Sequence, residues 1–192
     1  TNTVNDKTDI YLVGVFTDKK LSHLGKSITK TNLTLANKCF AKNNFTGEIG
    51  DHRTFDDNVG KSQIVFFGLG QKQKYNPLNL SRSVKGIIDK IRKPNAKNIS
   101  INIDNIISKT KNISLDLLIS YIEDSFYKYS FKKEKQVSKI SNCNIVSKEI
   151  VKKSIFTTSI KNGKAIANGL KFAKDLGLSL IHISEPTRPP PS

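Results

Sequence analysis

The sequence predicts an α/β fold with a largely parallel or mixed sheet. Apolar runs rich in β-forming residues alternate with segments whose apolar residues recur at helical spacing, which is the pattern of strands linked by amphipathic helices. The chain has 192 residues, of which 36% are hydrophobic. That length and content are enough for one buried core and argue against a second, so we expect a single domain.

Four segments are predicted as strands. Residues 9–16 and 62–68 are short apolar runs bounded by polar residues, which is typical of strands buried on both faces. Residues 98–103 follow as a third strand. Residues 139–146 alternate only weakly and are the least distinct candidate.

Four amphipathic helices are predicted between and after these strands. Pro94 marks the end of the second helix, and the hydroxyls of 157–159 are candidate N-caps for the last. The apolar stripes of the four helices are, in order, Leu24, Ile28, Leu35 and Cys39; Val84, Ile87, Ile88 and Ile91; Leu115, Leu118, Ile119, Ile122 and Phe126; and Ile166, Leu170 and Ala173.

Two polar segments and two cysteines complete this description. Residues 43–58 form either a loop or a short edge hairpin around Gly47 and Gly50, and 128–139 is the most plausible exposed connection. Cys39 and Cys143 are too few for a disulfide framework and have no metal-ligand spacing, so we expect both to be reduced and at least half-buried.

The net charge of +16 invites a nucleic-acid interpretation, but 28 of the 32 basic residues are Lys and they are spread over the whole chain. The segment from Tyr127 to Lys135 does alternate aromatic and basic residues, as a surface for single-stranded nucleic acid would. Weak, salt-sensitive, nonspecific binding is the expectation that the composition supports. No window approaches the roughly 18 apolar residues of a membrane span, so we expect a soluble, intracellular protein.

Gly68-Leu69-Gly70 is the main candidate for a phosphate-binding turn, because it follows a predicted strand and precedes a predicted helix. Gln73 occupies the place of the third glycine of the dinucleotide fingerprint, and the acidic residue about twenty positions on, Asp89, falls inside a predicted helix. A tight strand-to-helix turn explains these glycines better.

The remaining polar residues do not converge on a catalytic or metal site. His23, His52 and His182 share no metal-type spacing and are expected at the surface or as caps. The adjacent carboxylates Asp56-Asp57 and Glu123-Asp124 point apart on a strand or helix, so we expect them to be solvated. We predict no catalytic, cofactor-binding or metal-binding residue.

Both ends of the sequence are unusual. It contains no Met, so we expect that the chain either lost its initiator or was cut from something longer. Residues 178–192 lack Lys and Asn and resemble the in-frame translation of a transposase-type sequencing adapter. We expect this tail to be non-native and disordered, and the native reading frame to continue beyond Gly177.

Several segments, in order, resemble the amino-terminal domain of the leucyl aminopeptidase (cytosol aminopeptidase) family. Residues 11–16, with Leu21-Ser22 soon after, are similar to its first strand and the turn into its first helix. Residues 64–72 are similar to its second core strand and Gly-x-Gly-Lys turn, with Gln71 interposed before the Lys. Residues 126–131 resemble a Tyr-x-Phe segment that closes a long helix.

The strongest similarity is between residues 165–176 and the helix that joins the two domains of this family. The resemblance implies a macro-domain-like mixed sheet flanked by helices, followed by an interdomain helix. We therefore expect an amino-terminal non-catalytic domain at 1–158, the interdomain helix at 159–177, and the non-native tail at 178–192.

The resemblance also implies a function for the intact parent. A larger catalytic domain would bind two divalent metals, Mn or Zn, and activate a water for attack on the first peptide bond of a peptide substrate. The corresponding motifs all lie beyond Gly177, so this chain is expected to be inactive and to serve domain packing or assembly of a cytoplasmic homo-hexamer. The alternative is a macro-domain-type module that binds ADP-ribose-like ligands or nucleic acid.

Overall fold

The computed structural model describes residues 8–18, 37–38, 40, 45–56, 62–91, 96–107, 113–127, 140–147 and 153–183, of which Lys153 and 179–183 are described by their backbone alone. The elements in chain order are β1 (Ile10–Phe16), β2 (His52–Asp56), β3 (Gln63–Gly70), a 3₁₀ turn (Lys72–Lys74), α1 (Pro77–Ile91), β4 (Asn98–Asn102), α2 (Leu115–Phe126), β5 (Asn142–Val146) and α3 (Lys153–Ile183).

The strands form one mixed sheet in the order β2-β3-β1-β4-β5. β1 pairs in parallel with both β3 and β4, and β4 pairs in parallel with β5. Of the five described strands, only β2, at one edge, is antiparallel to its neighbour, β3. The crossover from β3 through α1 to β4 passes β1, which is why the first strand of the chain is the central strand. The predicted α/β fold with a mixed sheet is confirmed.

β1 is buried along its whole length because both faces of the sheet are covered. Its side chains alternate between two cores, as the two-residue period of a strand requires. Ile10, Leu12 and Phe16 belong to the larger core beneath α1 and α2. Tyr11, Val13 and Val15 belong to a smaller, aromatic-rich core with Phe40, Phe45 and Phe66.

The predicted stripes of α1 and α2 are the buried faces of these helices. Val84, Ile87, Ile88 and Ile91 of α1 are all buried, as are the first four predicted residues of α2. α1 begins with Pro77 after Asn76, whose Oδ1 accepts a hydrogen bond from the Asn79 amide at 2.9 Å. This is a side-chain N-cap followed by proline in the first turn, where neither residue costs the helix a hydrogen bond.

Of the two alternatives for 43–58, the described part, 45–56, has a loop in which Gly47 and Gly50 have positive φ, and this loop leads into the edge strand β2. β2 pairs antiparallel with β3, which lies outside 43–58, so the strand does not form a hairpin around Gly47 and Gly50. The loop lies so close to β3 that a Cβ at position 68 would overlap the Glu48 carbonyl oxygen. Gly68 is therefore required by close backbone approach and not by its own φ.

α3 differs from its prediction at both ends. It begins at Lys153, so Thr157, Thr158 and Ser159 lie inside the helix and the predicted N-cap is wrong. No Gly or Pro interrupts 153–158, and the packing of Phe156 and Ile160 on the core outweighs the weak helix propensity of the Ser and Thr residues there. The helical backbone continues through Ile183, past Gly177.

Two predictions lie outside the described residues, and a third is wrong. The apolar stripe from Leu24 to Cys39 and the connection at 128–139 lie outside the described residues. Cys143 is a free cysteine, as expected, but it is exposed, which contradicts its predicted burial. The reason is its position on β5, the other edge strand, which the sequence pattern could not distinguish from an interior strand.

Candidate functional site at the α2–α3 interface

A cluster of charged side chains lies where α1, α2 and α3 meet. Asp124 of α2 is at its centre, and only 4% of its side chain is exposed. Lys85 of α1 donates to Oδ2 of this carboxylate at 2.6 Å, and Lys174 of α3 donates to Oδ1. One carboxylate therefore ties together three helices that are distant in sequence.

The two lysines determine the charge state of this carboxylate. Burial opposes ionisation of Asp124, but hydrogen bonds and charge from Lys174 and Lys85 outweigh it and hold its pKa below the ordinary value. Asp124 is thus ionised at neutral pH. The lysine side chains remain 43% and 39% exposed, so their ammonium groups keep part of their hydration while they neutralise the buried charge.

A second polar contact lies beside the first. The Tyr127 hydroxyl, just after the end of α2, donates a hydrogen bond to Oδ1 of Asp175 in α3. The Lys174 ammonium lies 5.2 Å from the centre of the Tyr127 ring, within the range of a cation–π contact. Tyr127 was the first residue of the segment considered for nucleic-acid binding; its ring and hydroxyl are instead used within the fold.

Small residues bring α3 close to α2 before the charged contacts are reached. A Cβ at Gly163 would lie 2.6 Å from the Asp116 carbonyl oxygen and 2.7 Å from Cβ of Ile119, so only glycine fits there. Ala167, one turn later, is 7% exposed. Nearer the start of α3, Phe156 and Ile160 are partly buried against the larger core. From Phe156 to Lys174, α3 is therefore anchored along one face for about five turns.

This arrangement holds a helix and does not present reacting groups. Asp124 has both carboxylate oxygens occupied by lysines, and the Tyr127 hydroxyl has an internal acceptor. These contacts fix the rotation of α3 about its own axis, because Lys174 and Gly163 must both face α2. The arrangement is suited to positioning the chain that α3 leads to.

Sequence reasoning missed this site. Asp124 was expected to be solvated with its neighbour Glu123, and that prediction is wrong for Asp124. Glu123 is on the exposed side, 3.9 Å from Lys164 with both side chains largely exposed. The two carboxylates do point apart on the helix, as expected, but α3 covers the side of Asp124. At 100° per residue, Asp124 lies on the side of α2 opposite its apolar stripe, so no local pattern marked this carboxylate as buried.

The two glycines that were candidates for a phosphate-binding turn use their amide groups in hydrogen bonds within the fold. Gly68 and Gly70 both lie in β3. Their amide groups donate to the carbonyl oxygens of Asp51 and Gly47, each at 2.9 Å, so neither points at an open site. Beyond Gly70 an open groove is lined by Thr17, Asp18, Lys72 and Gln73, and its carboxylate disfavours a phosphate.

His52, one of the three histidines, has a structural contact. Its Nδ1 lies 3.3 Å from Nζ of Lys90, which also donates to the Gly50 carbonyl oxygen at 2.7 Å. Burial, then the charges of Lys90 and Arg53, lower the pKa of His52, so the neutral imidazole accepts from the lysine. The contact joins α1 to the loop before β2. His23 and the His182 side chain lie outside the described residues.

The described part of the chain contains no group of three or more His, Cys, Asp or Glu residues placed to hold a metal ion. The residues present here therefore do not fit the pair of divalent metals that the resemblance implies, and no catalytic step is derived from them. Within the same residues, none of the helices has the length and hydropathy needed to cross a bilayer.

Comparison with known proteins identifies relatives of this chain. Residues 12–136 match the cytosol aminopeptidase family, N-terminal domain. A probable cytosol aminopeptidase of Nitrosococcus oceani is 25% identical over 190 residues, which cover 94% of this chain and 38% of that protein. The protein of the same name from Buchnera aphidicola subsp. Schizaphis graminum is 25% identical over 178 residues, which cover 89% of this chain and 35% of that protein.

Solved structures show the same fold. A mutant of tomato leucine aminopeptidase superposes with a TM-score of 0.62 at 15% identity, over 88% of this chain and 35% of that one. The bottromycin maturation enzyme BotP, solved in complex with Mn, superposes with a TM-score of 0.58 at 12% identity. This match covers 88% of this chain and 31% of that one. The chain thus spans little more than a third of the length of the curated relatives it matches. By the match over 12–136, it belongs to the cytosol aminopeptidase family as that family's N-terminal domain.

Proposed function

We propose that this chain is the non-catalytic N-terminal part of a cytoplasmic metalloaminopeptidase, and that it packs against and helps to assemble the rest of the enzyme. The intact protein would release N-terminal amino acids from peptides with two divalent metals, Mn or Zn. The ligands of those metals would belong to the part of the protein beyond this chain. Its partners would be its own catalytic domain and the other subunits of a homo-hexamer.

One observation carries this proposal. The matched family segment is an N-terminal domain, and the relatives that align with 94% and 89% of this chain are matched over only 38% and 35% of their own length. The alignment with the Nitrosococcus oceani protein covers 94% of the chain and so includes residues that follow the matched domain. α3 is among them and is the element through which the rest of the protein would be reached.

The α2–α3 interface supplies the physical role. A helix that connects two domains transmits their relative orientation only if it is attached rigidly to one of them. Gly163 sets its distance from α2, and the Asp124–Lys174 ion pair sets its rotation. We assign residues 1–158 to the domain and 159–177 to the connecting helix. α3 begins earlier, at Lys153, and Phe156 in its first turns packs on the core of the domain.

A peptidase assay tests the proposal directly. The purified chain, incubated with Mn²⁺ or Zn²⁺ and a leucine anilide, should release no aniline above the rate of a protein-free blank. Turnover that copurifies with the chain and is abolished by a chelator would refute the assignment as a non-catalytic part.

Calorimetric titration separates this function from the macro-domain-type alternative. ADP-ribose and single-stranded DNA, at near-physiological salt, should give no saturable heat, because the Gly68 and Gly70 amides already donate within the fold. Stoichiometric binding of ADP-ribose would favour the alternative. Binding of DNA that disappears on modest addition of salt would reflect only the net charge of +16.

A further inference from the structure

α3 has a second apolar face that nothing in the described chain covers. Six large hydrophobic side chains are exposed among the described residues, and five of them are on this helix. Their exposed fractions run from 41% to 71%, with Phe172 the most exposed. The open face, as we name it, consists of Ile155, Ile166, Leu170, Phe172 and Leu176.

The open face is separate from the face that packs on α2. At 100° per residue, its five side chains fall within roughly 160° of the helix circumference, and Gly163, Ala167 and Lys174 lie outside that sector. Gly169 and Ala173 lie within it, and a Cβ added at Gly169 would meet only open space. Scattered exposed apolar residues are ordinary, but Ile166, Leu170, Phe172 and Leu176 form a continuous stripe of nearly three turns, with Ile155 about three turns before it, and such a stripe indicates an interface.

We propose that the open face is the docking surface for the part of the longer protein that follows this chain, and this inference rests on the function proposed above. The matched N-terminal domain ends at 136, whereas the aligned segment of the relatives extends over almost the whole chain and so includes α3. The open face therefore belongs to the stretch between that domain and the remaining 62% or so of the Nitrosococcus oceani protein, given the 38% that is aligned.

The charges on α3 define the chemistry of its partner. Its described side chains include four lysines, Lys161, Lys164, Lys171 and Lys174, against the single carboxylate of Asp175. Three of these lysines, Lys161, Lys164 and Lys171, lie along the strip between the two faces. A second copy of α3 would place lysines near lysines, which disfavours association. The surface that covers the open face is therefore apolar with an acidic rim, and it is contributed by the same polypeptide.

Hydroxyl-radical footprinting compares this chain alone with a full-length chimera. In the chimera, residues 1–177 replace the aligned segment of the Nitrosococcus oceani protein. Phe172 is 71% exposed in the chain alone, so its oxidation should fall by at least about fivefold once an interface core covers it. Leu78, an exposed apolar residue of α1 outside the open face, is the internal control and should be oxidised equally in both proteins.

A charge-reversal variant provides a second measurement. The double variant Lys161→Glu, Lys171→Glu should change the Tm of the isolated chain by no more than about 2 °C, because both side chains are exposed. It should lower the Tm of the chimera by more than that.

Undiminished oxidation of Phe172 in the chimera overturns the docking surface, as does a dimer of the isolated chain that protects Phe172. A chimera that hydrolyses leucine anilide with Phe172 still reactive overturns this inference alone, whereas hydrolysis by the isolated chain refutes the proposed function.

Discussion

The two faces of α3 have nearly the same composition and opposite environments. The packed face has Gly163 and Ala167 four residues apart, and both are buried against α2. The open face has Gly169 and Ala173 at the same spacing, between larger side chains such as Leu170, and all are exposed. Apolar character and small residues therefore do not tell which face meets the N-terminal domain.

The packed face differs from the open face because polar side chains beside it have partners on α2 and just after it. Lys174 reaches Asp124 from the packed side, and Asp175 accepts from Tyr127 beside it. A buried carboxylate is costly unless it is paired, so this contact is satisfied in only one rotation of the helix. The comparison indicates that hydrophobic burial holds α3 against α2 and that the ion cluster selects its orientation.

The largest expected effect comes from filling the close contact on the packed face. Gly163→Leu should lower the free energy of unfolding by about 3 kcal/mol or more, because the side chain meets the Asp116 carbonyl oxygen and Ile119. Urea denaturation measures this loss. The matched control is Gly169→Leu on the open face, which should leave stability unchanged or raise it by up to about 1 kcal/mol through helix propensity. Equal losses at the two positions would contradict the assignment of the faces.

The second-largest effect is expected from removing the buried charge of Asp124. Asp124→Asn should lower the free energy of unfolding by about 2 kcal/mol. The loss is smaller than for a fully buried ion pair, because Lys85 and Lys174, left without a counter-charge, can return partly to water. Glu123→Gln is the control at the adjacent position, where the ion pair of 3.9 Å is exposed, and should cost at most about 0.5 kcal/mol. Urea denaturation of both variants at neutral pH gives the comparison, and a larger loss for Glu123→Gln would exclude the proposed role of Asp124.

The same carboxylate predicts a pH dependence. The pKa of Asp124 is lower in the folded chain than the value of about 3.9 for an unfolded Asp, so its stabilising contribution is complete above that value and is lost as pH falls through the folded pKa. The difference in Tm between wild type and Asp124→Asn should thus be constant from about pH 7 to pH 5 and shrink below about pH 4. A difference that instead grew on acidification would show that the carboxylate is not stabilised by its lysines.

The smallest effect on stability is expected on the open face. Phe172→Ser removes a side chain that is 71% exposed, so the free energy of unfolding of the isolated chain should change by no more than about 0.5 kcal/mol. Retention on a hydrophobic-interaction column should nevertheless decrease, because the most exposed apolar side chain of the helix is lost. A loss of stability comparable to that of Gly163→Leu would place Phe172 in a packed contact.

The individual elements of this fold were predictable wherever one local pattern determined them. α1 was recognised from Val84, Ile87, Ile88 and Ile91 because one uninterrupted stripe is also its buried face. β1 was recognised because a strand covered on both sides is apolar at every position. Cys143 was misassigned because edge and interior strands differ in their neighbours, which are not local in sequence.

The site depended on contacts that no local pattern specifies. Asp124 and Lys174 are separated by 50 residues in sequence, and either would be an ordinary exposed residue of an amphipathic helix without the other. Gly163 has a helical backbone and is required only because α2 lies against it. The start of α3 was misplaced for the same reason, since packing of Phe156 and Ile160 on the core stabilises the turns before the hydroxyls at 157–159.

By itself the sequence determined where four of the five described strands and the apolar stripes of α1 and α2 lie, that the sheet is built largely from helix-linked strands, and which family the chain resembles. These properties depend on residue period and on the order of short motifs, both of which are local. Only the tertiary structure decided which face of α3 is buried, which of two adjacent carboxylates is paired, and that the Gly68 and Gly70 amides are already used. Each of these depends on the distance between groups far apart in the chain, and that distance is set by the packed core.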